Sequence, residues 1–435
     1  MANVGREELR RCLSRRARPW RFWGALLLTL GTLLLLGKTA HAAEPGDSLT
    51  ISLLTMGAGE HPFTKFGHSA LWVHDAAAGR DEIYNYGTFA FDSPTLFFDS
   101  AQGKLPYWLS VQSLSGTLRS YGEAQRSLLV SELELTPAER NALYSALREN
   151  ERPENRYYHY DFYRDNCATR IRDAIDRVIG GQIHAQAQKP ARMSFRSHTL
   201  RLVADDPALY AALDLAVGRG TDSPITFWDE GFLPSRLHDL LLETHVVRGG
   251  QTLPLVRSER QLLPSSFAEP RAVPPDWIGR YFRVGVALAA LFAALGLGAH
   301  SVGRLRGVLA AAFMALALPL GLVGSALCYL TFISWHFAAA NNCNVLLLPP
   351  WLLLLVVVGP SMARGKAWAW GLSRWLLSTT LLCSIAAIAI HALQKNPQQN
   401  WPELAFCLPL WLGATAAAWL GSASAQARPG YDTRG

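Results

Sequence analysis

The chain has 435 residues, half of them hydrophobic and 17% charged, with a mean hydropathy of +0.10. That is too apolar for an ordinary soluble enzyme and too polar for membrane helices alone, so the length divides between a soluble part and a membrane part. The net charge of +7 does not point to nucleic acid, because residues 43–279 carry 23 basic and 30 acidic side chains and phosphate binding needs a basic face. Six cysteines without CxxC or CxxxC spacing exclude a zinc ribbon and a disulfide-dense module.

Residues 1–21 are Arg-rich, and Gly24–Gly37 is a Leu-dominated run of about 14 residues followed by Ala40-His41-Ala42. A charged start, a short apolar run and an A-x-A site read as an export signal cleaved after Ala42. The alternative is an uncleaved anchor, since Trp20, Phe22 and Trp23 lengthen the apolar stretch. Either way the segment beyond Ala42 is exported.

Within the exported segment, Leu49–Thr55 alternates as a strand does, Gly67–Val73 reads as a second strand and Glu82–Tyr86 as a third. Ser93–Gln102 reads as a short helix and Arg126–Leu135 as a strand. Thr136-Pro137-Ala138-Glu139 supplies an N-cap, a first-turn proline and a capping glutamate for a helix over 137–149. Tyr157–Tyr160 is a short aromatic strand, and Cys167–Ile179 is a helix stopped by Gly180-Gly181. Residues 206–217 and 228–243 read as helices, and Pro264–Pro275 as a Pro-rich linker. Strands and helices mix without a βαβ rhythm, which makes this an α+β domain.

Beyond Pro275 come five apolar spans, about 281–299, 308–333, 345–362, 372–392 and 404–420, each near the ~20 residues that cross a hydrocarbon core. Arg304 and Arg306, then Arg364, Lys366 and Arg374, lie in one set of loops. Ser334–Asn344 and Gln394–Glu403 share a single lysine. The basic loops are therefore cytoplasmic and the exported domain lies outside the membrane. No Asp, Glu, Lys or Arg lies deep in any span, which disfavours transport. His300 and His391, near span ends, read as interfacial. The polar, uncharged loop 335–344 either contacts a headgroup or the exported domain, or is a plain turn.

Cys167 is the lone cysteine of the exported segment. Asp165 or Asn166 can cap the helix it opens, and a helix start favours a thiolate. Ile171, Ala174, Ile175 and Val178 continue its inward face, with Arg170, Arg172, Asp173 and Arg177 outward. A buried thiol would instead be inert, and the sequence leaves both readings open. A nucleophilic thiol needs a base. His68 is the leading candidate and His159 the rival. His68 and His74 share a strand face about 20 Å apart at ~3.3 Å per residue, too far to serve one metal. No G-x-S-x-G, P-loop or G-x-G-x-x-G occurs in the exported segment, and Asp205-Asp206 and Asp229-Glu230 read as helix caps or solvated faces.

Phe66-Gly67-His68-Ser69-Ala70-Leu71-Trp72-Val73, Tyr84-Asn85-Tyr86-Gly87-Thr88-Phe89 and Asp165-Asn166-Cys167-Ala168-Thr169-Arg170-Ile171-Arg172-Asp173 resemble the signatures of the Lnb-type lipoprotein intramolecular acyltransferase domain. Phe232-Leu233-Pro234 and the five-span half also fit. The resemblance implies a permuted papain-like fold of the NlpC and lecithin:retinol acyltransferase kind, with Cys167 as nucleophile and His68 as base. Asn85, Tyr86, Asp165 and Asn166 are candidates to orient the base or touch substrate. It implies acyl transfer from a membrane lipid or bacterial lipoprotein ester to an amine, on the outer side of the bacterial inner membrane, with no cofactor and no metal. A cell-wall cysteine amidase and a non-catalytic membrane scaffold are the competing readings. The expected layout is a signal peptide or anchor over 1–42, the thiol domain over 43–263, the linker over 264–279, the membrane domain over 280–421 and a cytoplasmic tail over 422–435.

Overall fold

The computed structural model describes residues 44–90 and 94–426. The leader and the last nine residues of the tail lie outside the described residues. One compact unit begins at Ser48 and holds both the exported domain and the apolar helices.

The exported part is built on one antiparallel sheet in the order β6-β4-β3-β2-β1-β5-β9. Its strands are β1 (Leu49–Met56), β2 (His68–Asp75), β3 (Arg80–Thr88), β4 (Pro106–Gln112), β5 (Leu128–Leu133), β6 (Tyr157–His159) and β9 (Val256–Leu263). A hairpin of β7 (His245–Arg248) and β8 (Gln251–Pro254) stands apart. The period-2 pattern decides the faces. Leu71, Val73, Tyr84 and Tyr86 point to one side, against α3 (Pro137–Glu151) and α4 (Cys167–Val178). Ala70, Trp72 and Ile83 point to the other, against α2 (Leu114–Glu123). The expected capping box of α3 forms, with Thr136 and Glu139 exchanging hydrogen bonds.

Several elements escaped the sequence reading: β4, α2, α5 (Gln182–Gln186), α6 (Phe195–Leu202), the β7–β8 hairpin and β9. The helix expected over 228–243 is two, α8 (Phe227–Glu230) and α9 (Pro234–Glu243), because the proline at 234 cannot continue a helix but can start one. Arg172, expected outward, is buried and donates to the Trp228 carbonyl. α1 (Leu96–Gln102) and α7 (Pro207–Ala216) complete the helices of the domain.

Among the described residues, five helical segments are long and apolar enough to cross a membrane: α10 (Ile278–Ser301), α11 (Leu305–Phe332), Cys343–Ala363, α13 (Ala367–Leu393), and Trp401–Ala423 within α14 (Trp401–Gln426). The third is segmented. Two 3₁₀ turns, Cys343–Leu346 and Pro350–Leu352, precede α12 (Leu353–Ala363), because Pro349-Pro350 interrupts regular hydrogen bonding. The last span begins earlier than expected and buries Glu403 in its first turn.

The polar loop 335–344 is a docking surface for the exported domain. Asn342 Nδ2 donates to the Leu215 and Ala216 carbonyls at 2.7 and 3.1 Å, and Asn344 Nδ2 to Leu215 at 3.1 Å. Gln398 donates to Val217 and to Asn342, and Arg219 Nε donates to Asn396. His391 is buried and bonds Asn400, which donates to Asn344. On the domain side, buried Arg196 holds Asp214, Asp222 and the Val217 carbonyl. Buried polar groups settle only where each finds a partner, so this network fixes the register between domain and membrane helices.

Candidate active site

Cys167 opens α4, and the reason is local. Asn166 has extended backbone and its Oδ1 accepts from Ala168 and Thr169 N–H at 2.9 Å each. Thr169 Oγ1 accepts from Asn166 N–H at 2.7 Å, closing the box. Asn166 Nδ2 donates to Phe162 and Phe232 carbonyls at 2.7 and 2.8 Å. Asn166 is thus a structural cap, and it consumes two of the helix-start N–H groups. Asp165 is held by Arg170 through two hydrogen bonds of 2.6 and 2.8 Å, and that guanidinium lies 3.6 Å above the Tyr158 ring. Its carboxylate is therefore engaged away from the histidine.

The sulfur sits where two strands part. The β2–β3 ladder runs from Asp75↔Arg80 to Leu71↔Tyr84 and stops there, although both strands continue. Gly87, at φ +89°, lies in the gap, and a Cβ on it would stand 3.2 Å from the Tyr160 ring and 3.8 Å from Cys167 Cβ. Only glycine gives this approach without strain. The Ser69, Ala168 and Cys167 N–H groups and the Tyr160 hydroxyl lie around Sγ and favour its charged form. The Cys167 N–H reaches the Tyr160 oxygen. Cys167 is only 6% exposed, and burial raises its thiol above the ordinary range despite these donors. The helix start therefore does not by itself yield a resting thiolate.

His68 begins β2 immediately before Ser69. Gly67, at φ +78°, lets the Met56 backbone pass close by. His68 Nε2 faces Asn85 Oδ1 at 3.3 Å, and Asn85 Nδ2 donates to the Ile83 carbonyl at 3.0 Å. The second bond fixes the amide, so its oxygen meets the imidazole. Nε2 therefore carries the proton and Nδ1 the lone pair. Burial, then the Arg126 charge, lowers His68 to about 4, against the opposing hydrogen bond from Asn85. The imidazole is neutral near pH 7. Sγ and the imidazole are not hydrogen-bonded to each other, but both line one cavity of about 460 Å³.

That cavity is mostly apolar. Phe66, Phe162, Phe232 and Leu233 form its domain side, while Leu330, His336, Ala338 and Ala339 bring in the membrane part. Its size is that of a ligand site. Tyr86 lies in its wall, buried, and burial pushes its phenol up to about 12. The rival base His159 is elsewhere, exposed and packed edge-on against Trp335 at 5.9 Å. His74 bonds Asp81. Sequence reasoning missed Tyr160, Ser69 and Arg126. Arg126 emerges only from the fold, which brings its Nε onto the Gly57 carbonyl at 2.8 Å.

Residues 38–206 match the family model described as the Lnb N-terminal periplasmic domain. Neither the curated proteins nor the solved structures hold a match to the chain. The matched span contains His68, Asn85 and Cys167 with every residue of the three motifs around them, and the five apolar helices lie beyond it. Residues 38–206 are therefore similar to the Lnb N-terminal periplasmic domain, and the five helices that follow among the described residues are consistent with a multi-pass membrane protein.

Proposed function

We propose that the protein is a membrane-bound, thiol-dependent acyltransferase that moves an acyl chain from a lipid or lipoprotein glyceryl ester to an amine. The observation that carries this reading is the cavity: a thiol and a neutral, amide-oriented imidazole line one apolar chamber whose far wall is built by the membrane region. A histidine strand followed by a cysteine-initiated helix, set on an antiparallel sheet, also supports the permuted papain-like assignment.

The steps derive from the protonation states. The resting pair is thiol and neutral imidazole, so His68 Nδ1 acts as a general base and takes the thiol proton as sulfur attacks the ester carbonyl. Hydrogen bonds in an unliganded site tighten once substrate is bound, which brings the pair together. The Ser69 N–H and the Tyr160 hydroxyl, already beside the sulfur, are placed to donate to the oxyanion. The Cys167 N–H, which Asn166 does not engage, lies beside the sulfur with them, while Asn166 Oδ1 takes the Ala168 and Thr169 N–H groups. Collapse breaks the ester C–O bond, and the imidazolium returns its proton to the leaving alkoxide. An amine then attacks the thioester, the C–S bond breaks, and the amine's proton restores the thiol. Asn85 positions His68, and the membrane spans convert a search in bulk into an oriented encounter.

Cys167→Ser and His68→Ala test the assignment. Reconstituted in lipid with a diacylglyceryl lipopeptide, both should lose amine acylation, and unchanged acylation in both would overturn it. A cell-wall amidase would instead release products from glycopeptide with water as acceptor, and a scaffold would tolerate both substitutions.

A further inference from the structure

Three segments meet at the mouth of the cavity: the 3₁₀ turn Pro62–Thr64, helix α1, and the outer end of α11 with the turn after it. α1 is tied to that membrane end. The Trp335 N–H donates to the Gln102 carbonyl at 2.9 Å, and His336 Nε2 donates to the Ser100 carbonyl at 2.7 Å. Each segment presents a large aromatic side chain outward: Phe63 is 63% exposed, Phe98 62% and Trp335 64%. Phe332 and Ile333, the last residues of the span and its C-cap, are exposed beside them. Largely exposed phenylalanines on two segments that line the cavity together with the end of α11 mark an interaction surface. The Lys104 ammonium stands 4.7 Å over the Trp335 ring. From Phe63 a line of rings runs inward through Phe89 at 5.9 Å, Tyr107 at 5.2 Å and Tyr160 at 4.3 Å, ending beside the sulfur.

We infer that Phe63, Phe98 and Trp335 form a lip inserted at the headgroup–acyl boundary of the outer leaflet, with phospholipid as its partner, so that the cavity opens sideways into the bilayer. The continuity of the lip with the outer end of α11 fixes its depth, aromatic side chains settle at that boundary, and Lys104 stands where lipid phosphates lie. This concerns how the domain sits on the membrane and goes beyond the acyl-transfer reading.

The test replaces Phe63, Phe98, Phe332 or Val247 singly with p-benzoylphenylalanine in the full chain, in phosphatidylethanolamine–phosphatidylglycerol vesicles. Phe332 marks the membrane and Val247, exposed on the β7–β8 hairpin, marks solvent. After irradiation, intact mass should show phospholipid adducts at 63 and 98 approaching those at 332 and about tenfold above 247, as interfacial burial requires. Adducts at 63 and 98 no higher than at 247 would overturn the lip. The readout is independent of acyl transfer. Lipid adducts on an inactive enzyme would refute the catalytic reading alone, and an active enzyme without them would refute the lip alone.

Discussion

The charge state of His68 gives the sharpest quantitative prediction. An imidazole with the ordinary value of 6.5 would be about 9% neutral at pH 5.5, whereas one held near 4 is about 97% neutral. Wild-type kcat/KM for acyl transfer should therefore stay flat down to about pH 5 and fall only as pH approaches 4. Asn85→Asp places a carboxylate where an amide oxygen now sits 3.3 Å from Nε2, and an opposite charge at that range raises an imidazole by about 1–3 units. Its acid limb should move up to between about pH 5 and 7, costing from about 1.3-fold at the low end of that range to about 30-fold at the high end in rate at pH 5.5, with little change at pH 8. Asn85→Ala should shift the limb slightly down, since the lost hydrogen bond had raised the value, and should slow the reaction at every pH by about tenfold or more through lost orientation. The assay is kcat/KM from pH 3.5 to 8 in lipid vesicles. A wild-type limb near 6.5 that neither substitution moves would refute the assignment of His68 as the neutral base.

Other substitutions test the supports. Arg126→Met removes the charge that helps depress His68, so the same acid limb should move to higher pH while the alkaline plateau holds. Because His68 is depressed in the folded state, the unfolded chain binds the extra proton between about pH 6.5 and 4, and folding stability should decline as pH falls through that window. Asn166→Ala removes the cap of α4 and should cost about 1–2 kcal/mol, seen as a lower midpoint in thermal unfolding. Asn342→Ala leaves the Leu215 and Ala216 carbonyls short of a donor, and at about 1–3 kcal/mol it should raise protease sensitivity near 215–222 without unfolding the spans.

Much of the scaffold was legible because local signals there agree with the tertiary outcome. The Thr136 box, the alternation of β1, the start of α4 at Cys167 and the five apolar runs each announce themselves within a few residues. The missed elements lack such signals. Val256–Leu263 is a charged, exposed edge strand, and Gln182–Gln186 is one turn. The candidate site was half legible. Asn85 and Asn166 stood among the motif residues, but only the three-dimensional arrangement separates the amide that faces His68 from the one that caps α4. The sequence left the thiol's state open between the helix start, which lowers it, and burial, which raises it, and at Cys167 burial wins. Contact with the exported domain was one of the readings open for the loop 335–344, but its partners at 215–219 were not legible, because they lie over a hundred residues away in the chain.

The most direct test of the central claim is intact mass spectrometry of the purified protein after incubation with an acyl-donor lipid and no amine acceptor. A thiol acyltransferase should gain the mass of one acyl group on Cys167, labile to hydroxylamine and discharged when a lipopeptide amine is added. A chain that turns over substrate without that adduct, or that keeps full activity as Cys167→Ala, would contradict it.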